Sequence, residues 1–397
     1  MEKVILRPRR EDSILRFHPW VFSGAIAQVT GQPAEGDLVG VYSAEGQYLA
    51  CGHWQVGSIA VRILSFEEDP TASDFWEKMI RRAFQVRVAC GLHGSSVTNC
   101  YRLVHGEGDG LPGLIIDYYD GVCVIQAHSV GMFKAKGAIC EAVKVVYGEG
   151  LKAVYDKSSG TAPFKAGLDL VDGYLYKAGG FDTDECVVLE NDNRFHVNWN
   201  EGQKTGFFLD QRENRAFVGR LAKGRNVLNL FCYTGGFSIY ALHGGAVHVD
   251  SVDSSRKAME MVDRNVVLNG FEPSRHTSFC ADAIDFLHDV PEGKYELMIV
   301  DPPAFAKHRG ALKNALRAYQ RLNAAAIAKV APGGFVFTFS CSQVVDKEAF
   351  ALAVFSAAAQ TGRSVRILDR LNQPADHAVN IYHPEGEYLK GLLLYVE

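Results

Sequence analysis

Hydrophobic positions over the first 66 residues fall in short β-rich runs, at 21–22, 37–42, 48–51 and 59–64, cut by Gly24, Gly31, Gly36, Gly46, Gly52 and Gly57. Strands this short, separated by glycine turns, predict a small all-β barrel. An acidic, proline-ended stretch at 67–70 reads as a linker. From 74 to 92 apolar residues then recur at helical spacing (Phe75, Met79, Ala83, Val86, Ala89), with Arg81, Arg82 and Arg87 read as an exposed face. Strand-like runs at 113–118, 122–127 and 153–156, with a helix between the last two, predict a second, α+β unit. From about Val187 the rhythm changes. Runs at 226–231, 246–253, 278–281, 296–301 and 334–340 alternate with helices that start near Gly236, Ser254, Ala283 and Lys313, and runs at 365–368 and 389–396 close the chain. Such alternation predicts parallel βαβ units and a doubly wound α/β sheet. Three domains follow, at 1–70, 71–186 and 187–397.

Composition narrows the function classes. A chain of 397 residues exceeds what one hydrophobic core organises. With 47% hydrophobic and 22% charged residues it matches an ordinary soluble enzyme and excludes disordered, collagenous and solenoid readings. The net charge of −5 gives no chain-wide basic field, so nucleic-acid binding must come from a local patch. Nine cysteines are an odd number without a CxxC pair, so neither a disulfide framework nor a zinc ribbon is expected, and no metal. Charges interrupt the first dozen residues and no apolar run approaches 18, which predicts a cytoplasmic protein without a membrane span.

In doubly wound sheets ligands bind beyond the carboxyl ends of the strands. The first strand of the sheet ends in Asn229-Leu-Phe-Cys-Tyr-Thr-Gly-Gly-Phe-Ser238, where Gly235 and Gly236 permit close backbone approach at the start of a helix. Asp253 ends the next strand, 18 residues after Gly235, where an acid takes ribose hydroxyls; Asp282 ends the third, where a carboxylate can accept from an adenine amine. A dinucleotide needs G-x-G-x-x-G to seat its pyrophosphate. Here there is one glycine pair and no cationic anchor, so S-adenosylmethionine, which has no phosphate, fits better than NAD.

The fourth strand ends Val300-Asp301-Pro302-Pro303-Ala304-Phe305, with two prolines fixing the backbone after a carboxylate. Asp301 can hydrogen-bond the ring of an extruded base and Phe305 can pack on its face. The fifth ends Phe339-Ser-Cys341-Ser-Gln. A buried strand cysteine is ordinarily an inert small hydrophobe. Cys341 differs by its place at the sheet's catalytic edge beside Ser340 and Ser342, where loop amides favour a thiolate. Carbon 5 of a pyrimidine is a poor nucleophile. A thiolate adding to carbon 6 turns the ring into an enamine that attacks an electrophilic methyl group, and an Asp at N3 and N4 of cytosine stabilises the developing charge.

Two further segments bear on partners. Residues 7–20 interleave arginines with Phe17, His18 and Trp20, the types that meet phosphates and stack on bases, or equally a solvated turn beside a core Trp. The Gly-rich 105–113 segment lacks a GK[ST] ending and carries Glu107 and Asp109, so a tight turn accounts for it better than a phosphate loop.

These motifs resemble the class I S-adenosylmethionine-dependent RNA methyltransferases, most closely the bacterial type that makes 5-methylcytosine in large-subunit ribosomal RNA. Arg16-Phe-His-Pro-Trp-Val-Phe22 looks like the start of that family's PUA domain, an RNA-binding barrel. Lys204-Thr-Gly-Phe-Phe-Leu-Asp-Gln-Arg-Glu-Asn-Arg215 is similar to its signature before the cofactor strand. The Asn229, Asp301 and Ser340 segments and the tail Ala375-Asp-His-Ala…Glu387-Tyr-Leu-Lys-Gly391 match its later motifs. The resemblance implies a Rossmann-like domain behind a PUA-like barrel and a central domain, with large-subunit ribosomal RNA as partner and a homodimer left open. It implies S-adenosyl-L-methionine held by Gln211, Asn229, Phe231, Tyr233, Thr234, Gly235, Gly236, Asp253, Ser254, Asp282 and Asp301. Asp301 would position cytosine and Cys341 would be the nucleophile. Arg16, His18, Trp20 and Phe305 are the candidates to meet RNA, and the basic residues near the proposed mouth, Lys204, Arg212, Lys307 and Arg309, are either phosphate contacts or equally plain surface charges. The wider class often carries a second Cys after the strand-four prolines; Ala304 stands there, so no residue is assigned to remove the C5 proton. The alternatives are a base-nitrogen ribosomal RNA methyltransferase, which needs no thiol, and an inactive RNA-binding assembly factor. An NAD-dependent oxidoreductase ranks last.

Overall fold

The computed structural model describes every residue except 68, 164–166 and 307. The chain forms two compact units. One comprises Met1–Val188, Val197–Leu209 and Ala375–Gly386; the other comprises Leu189–His196, Asp210–Pro374 and Glu387–Glu397. The sequence places 197–209 and 375–386 with the cofactor domain, whereas the structure gives both to the first unit.

The first unit holds two sheets. Six strands run in the order Trp20–Phe22, Ile59–Ser65, Tyr48–Trp54, Leu38–Tyr42, Glu2–Leu6, Ile26–Val29. Their alternating apolar residues, among them Val4, Leu6, Val39, Val41, Val61 and Ile63, close over a core of their own. Five more strands, in the order Gly173–Lys177, Ala153–Asp156, Val122–Ala127, Leu114–Tyr119, Cys100–His105, carry the helices Phe75–Ala89 and Val130–Tyr147. Phe75, Met79 and Ala83 of the first helix's predicted face are buried, together with Ile80, whereas Val86 and Ala89 are exposed and Arg87 is buried in their place.

Arg87 on that helix is not on an exposed face. Its guanidinium is fully buried, forks onto Asp109 and donates to the carbonyls of Arg102 and Asp376, both at 2.7 Å. Arg102 in turn forks onto Asp117 at 2.8 and 2.9 Å, and its backbone N–H donates to Asp376 Oδ2 at 3.0 Å. This network explains why 375–386 belongs here: Asp376 completes it, since a buried cation must be paired and hydrogen-bonded. The Gly-rich segment is the expected turn, one 3₁₀ turn at Gly106–Asp109 followed by left-handed Gly110, and its Asp109 is Arg87's partner.

Strands Glu185–Glu190 and Asn193–Asn198 form a hairpin that the sequence reading lacks. Its two loop residues, Asn191 and Asp192, both sit at positive φ (50° and 64°), as a tight hairpin turn with the strands' twist requires.

The second unit is the doubly wound sheet, in the order His276–Cys280, His248–Asp253, Asn226–Leu230, Leu297–Val300, Gly334–Ser340, Lys390–Val396, Val365–Asn372. The first five strands are parallel and the last two pair antiparallel. Helices Arg212–Leu221, Gly236–His243, Arg256–Leu268, Ala283–Asp289, Leu312–Lys329 and Lys347–Thr361 accompany them. The sheet order reverses at Asn226–Leu230, so the loops after this strand and after Leu297–Val300 flank the switch point where α/β proteins place ligands.

Candidate active site

At the switch point the chain leaves Asn226–Leu230 through two non-glycine residues in the left-handed region, Phe231 (φ 56°) and Tyr233 (φ 48°), and reaches Gly235 (φ 80°). Each such non-glycine residue costs roughly 1–3 kcal/mol and persists where the surroundings over-determine it. The surroundings here are explicit. Tyr233 N–H donates to Asp253 Oδ2 at 3.0 Å, and Asn265 Nδ2 donates to the Thr234 carbonyl at 2.9 Å. A Cβ on Gly235 would lie 3.0 Å from Val262, and one on Gly236 would lie 2.9 Å from the Arg215 stem. The glycine pair therefore lets the loop seat against its own unit.

Asp253 accepts a second backbone hydrogen bond, from Ser255 N–H at 2.9 Å, so each oxygen is oriented by one amide and keeps a further lone pair. The two remaining acceptor positions fit the two hydroxyls of a ribose. Ser254 is exposed beside it. Asp282 is exposed and spends Oδ1 on the N–H groups of Ile284 (2.8 Å) and Asp285 (3.1 Å), which leaves Oδ2 for an exocyclic amine. The side chain of Asn229 does not reach a ligand: it is fully buried and donates to Ser238 Oγ at 2.8 Å, tying the strand to the following helix.

The loops after Leu297–Val300 and Gly334–Ser340 are bound together. Asp301 is half-buried and its Oδ2 accepts from Gln211 Nε2 at 3.0 Å; the Gln211 amide is oriented by Asn214, which donates to its Oε1 at 2.6 Å. Cys341 is half-buried at the carboxyl end of Gly334–Ser340. Ser342, next in sequence, donates from Oγ to the Ala306 carbonyl at 2.5 Å. Ser340 Oγ donates to the Tyr319 hydroxyl at 2.9 Å, and the Tyr319 ring packs 4.7 Å from that of Phe305. Burial pushes the Tyr319 phenol up to about 12, so it stays neutral at physiological pH. Lys390 Nζ donates to the carbonyls of Ser342 and Val345, both at 2.6 Å.

Residues 176–393 match the S-adenosylmethionine-dependent methyltransferase family, and residues 4–66 match the PUA-like domain. The chain belongs to the S-adenosylmethionine-dependent methyltransferases. Among its relatives are the ribosomal RNA large subunit methyltransferases I of Aeromonas hydrophila subsp. hydrophila, 38% identical over 97% of both chains, and of Pseudoalteromonas atlantica, 40% identical over 98% of both. The solved structure of SMU.776, complexed with SAH, aligns over the full length of both chains with a TM-score of 0.85 and 23% identity, which shows the fold. The cofactor of this methyltransferase is accordingly S-adenosylmethionine, and Asp253, Asp282 and the 231–236 loop are the residues whose geometry fits it.

The residues expected to meet RNA divide. Arg212 is buried against Glu190, its Nε 3.6 Å from Oε2, beside Arg215, which forks onto the same carboxylate at 2.8 and 2.7 Å. It is inaccessible to phosphate, because Glu190 is itself fully buried and needs both cations. Lys307 lies outside the described residues. Arg309 is exposed, and Phe305 is half-buried against Tyr319. In the first unit Arg16 and Lys204 are exposed, the latter with Nζ 4.5 Å over the Phe208 ring. Trp20 is packed rather than presented: its indole N–H donates to Glu107 at 2.9 Å and its ring lies 4.3 Å from that of His383. Phe17 and Phe22, each 46% exposed, are the aromatics this segment offers to solvent.

His18, His383 and Glu385 bring three ligand-type atoms within 4.8 Å. The two nitrogens stand 4.0 and 3.8 Å from the carboxylate, wider than the roughly 3.3 Å set by a tetrahedron of ~2.0 Å bonds, so the group is not a preformed zinc site.

Sequence reasoning missed Tyr319 and Lys390. Tyr319 has no signal beyond its helical spacing. Lys390 did have one: a cation opening the apolar run Gly-Leu-Leu-Leu-Tyr-Val, inside a motif that was matched without a role.

Proposed function

We propose that this methyltransferase methylates carbon 5 of a cytosine in large-subunit ribosomal RNA through a covalent adduct between Cys341 and carbon 6. The observation that carries the proposal is the joining of the Cys341 and Asp301 loops through Ser342 and Ala306, which puts a half-buried thiol and an oriented carboxylate at neighbouring strand ends. The names of the full-length relatives and the PUA-like match support ribosomal RNA as the substrate.

S-adenosylmethionine supplies, when bound, an electrophilic methyl group. Cys341 adds as thiolate to carbon 6, and the ring's π electrons move to carbon 5, N3 and O2. Asp301, held by Gln211, accepts from the N4 amine and shares a proton with N3, which neutralises the negative charge that addition at carbon 6 sends to that nitrogen. Carbon 5 gains its methyl group as the sulfonium C–S bond breaks, and S-adenosylhomocysteine would be the leaving group; the C5 proton then passes to water, its electron pair restores the C5–C6 double bond, the S–C6 bond breaks, and Cys341 leaves as thiolate. Phe305, backed by Tyr319, offers a face for the extruded base.

The test is nucleoside mass spectrometry of large-subunit ribosomal RNA incubated with S-adenosylmethionine and either wild-type protein or Cys341→Ala. The proposal expects 5-methylcytosine with wild type and its loss in the variant. Methylation of a base nitrogen, or a fully active variant, overturns it.

A further inference from the structure

We infer that Lys390 is a positioning residue for Cys341, pinning the backbone that carries the thiol and supplying the positive charge beside it. The inference rests on the proposed nucleophilic role of Cys341.

Lys390 opens the antiparallel strand beside Gly334–Ser340 and pairs directly with Ser340, the residue before the thiol. The rest of its strand is apolar and its own side chain is buried, 5% exposed. A buried ammonium ordinarily faces a carboxylate. Lys390 instead makes no ion pair with any described carboxylate, and gives two of its three N–H donors to backbone carbonyls of the turn after Cys341. One of these belongs to Ser342, whose hydroxyl is fixed on Ala306 and whose N–H lies 3.3 Å from Ser340 Oγ. The thiol therefore sits between two residues that Lys390 touches, one by strand register and one by hydrogen bond.

Four titratable groups act on this ammonium. Cys341, Asp346 and Glu387 favour its charge and Lys347 opposes it. Asp346, Lys347 and Glu387 are exposed, and Lys347 is paired with Glu387, so water screens all three. Cys341 is the half-buried one, so its mutual interaction with Lys390 is the least screened of the favourable three. Burial pushes the ammonium down to about 8, which leaves it charged at neutral pH. A charged lysine beside a cysteine favours the thiolate.

The experiment is peptide-resolved alkylation of Cys341 by iodoacetamide as a function of pH, read by mass spectrometry on the full chain. Wild type is compared with Lys390→Met, which removes donors and charge, and Lys390→Gln, which keeps amide donors and removes only the charge. In both variants the alkylation midpoint is expected to rise by about one pH unit, with about tenfold slower labelling at pH 7. Lys390→Arg, which retains the charge, is expected to stay near wild type. If Lys390→Met fails to fold, Lys390→Gln carries the test. An unchanged midpoint in a folded neutral variant overturns the inference. The readout needs no methyl transfer: a shifted midpoint together with an active Cys341→Ala protein would uphold Lys390's effect and sink the nucleophile reading instead.

Discussion

Gln211 and Asp301, 90 residues apart, are joined by a 3.0 Å hydrogen bond that ties the segment before the cofactor strand to the strand-four loop. The amide cannot flip without losing Asn214 as well, because that residue donates to the opposite atom. One carboxylate oxygen is thus held in place before any base arrives, which is the preorganisation that electrostatic stabilisation requires.

Replacing Gln211 with Ala removes this tether while leaving the thiol untouched. A hydrogen bond to a charged group is worth about 1.5–3 kcal/mol, so single-turnover methylation is expected to slow roughly 10- to 100-fold. Alkylation of Cys341 is expected to be unchanged. A rate within twofold of wild type would show that Asp301 needs no orientation.

Asp253 supports the Tyr233 turn and is proposed to meet the ribose of the cofactor. Asp253→Ala is expected to weaken S-adenosylmethionine binding by two orders of magnitude or more in calorimetry, since it removes a ribose acceptor and leaves the Tyr233 N–H unpaired in a left-handed turn. Asp253→Asn keeps one acceptor oxygen and is expected to fall in between. Equal losses in the two variants would mean that the carboxylate's charge, rather than the turn, carries the effect.

How far the sequence anticipates this site depends on the range of the interactions. The strand-end acids were legible because a doubly wound sheet brings successive strand ends to one edge whatever the side chains do. Arg87 and Arg212 were not, because a buried cation and a surface one look alike until the partner is known. Arg87 reaches Asp109 and, 289 residues away, the carbonyl of Asp376. The same non-local clamp draws 375–386 into the first unit, against its position in the chain. The Lys390 contacts depend on strand register, which sequence periodicity does not specify for an antiparallel strand added after the fifth parallel one.

The Arg87 network yields a stability prediction. Breaking a buried ion pair by removing one partner costs about 3–5 kcal/mol, because the other charge is stranded. Arg87→Ala strands Asp109, which is 3% exposed, and is expected to lower the urea midpoint of the first unit accordingly. A loss below about 1 kcal/mol would mean that Asp109 finds water or another donor.

Histidines held below their ordinary pKa by desolvation set a pH dependence, and His53, His105, His128 and His276 are among them. Burial pushes His53 and His276 down to about 4, so both remain neutral in the folded chain through mild acid. The unfolded chain takes up their protons near pH 6.5. Stability therefore falls as pH drops from 6.5 towards 4, by about 1.4 kcal/mol per pH unit for each histidine, and is fully present above 6.5. Unfolding at pH 7.5 and 5.5 should show this loss in wild type and a smaller one in the His53→Gln, His276→Gln double variant. Identical pH slopes would refute the assignment.

The last prediction concerns RNA. A chain of net charge −5 repels a polyanion at long range, so any affinity must come from local cations that displace condensed counterions. With Arg212 buried, the exposed cations among the described residues expected to meet RNA are Arg16, Lys204 and Arg309. Affinity for a large-subunit ribosomal RNA fragment is expected to fall as salt rises, with each phosphate contact contributing about −0.7 to the log–log slope on single strands. Arg16→Ser should reduce that slope by about one contact. Phe22→Ala should weaken binding at every salt concentration without changing the slope, because stacking releases no counterions. Arg212→Lys should leave the slope unchanged, because the side chain never reaches phosphate. A slope that falls in Arg212→Lys and not in Arg16→Ser would reverse the roles given to the two arginines.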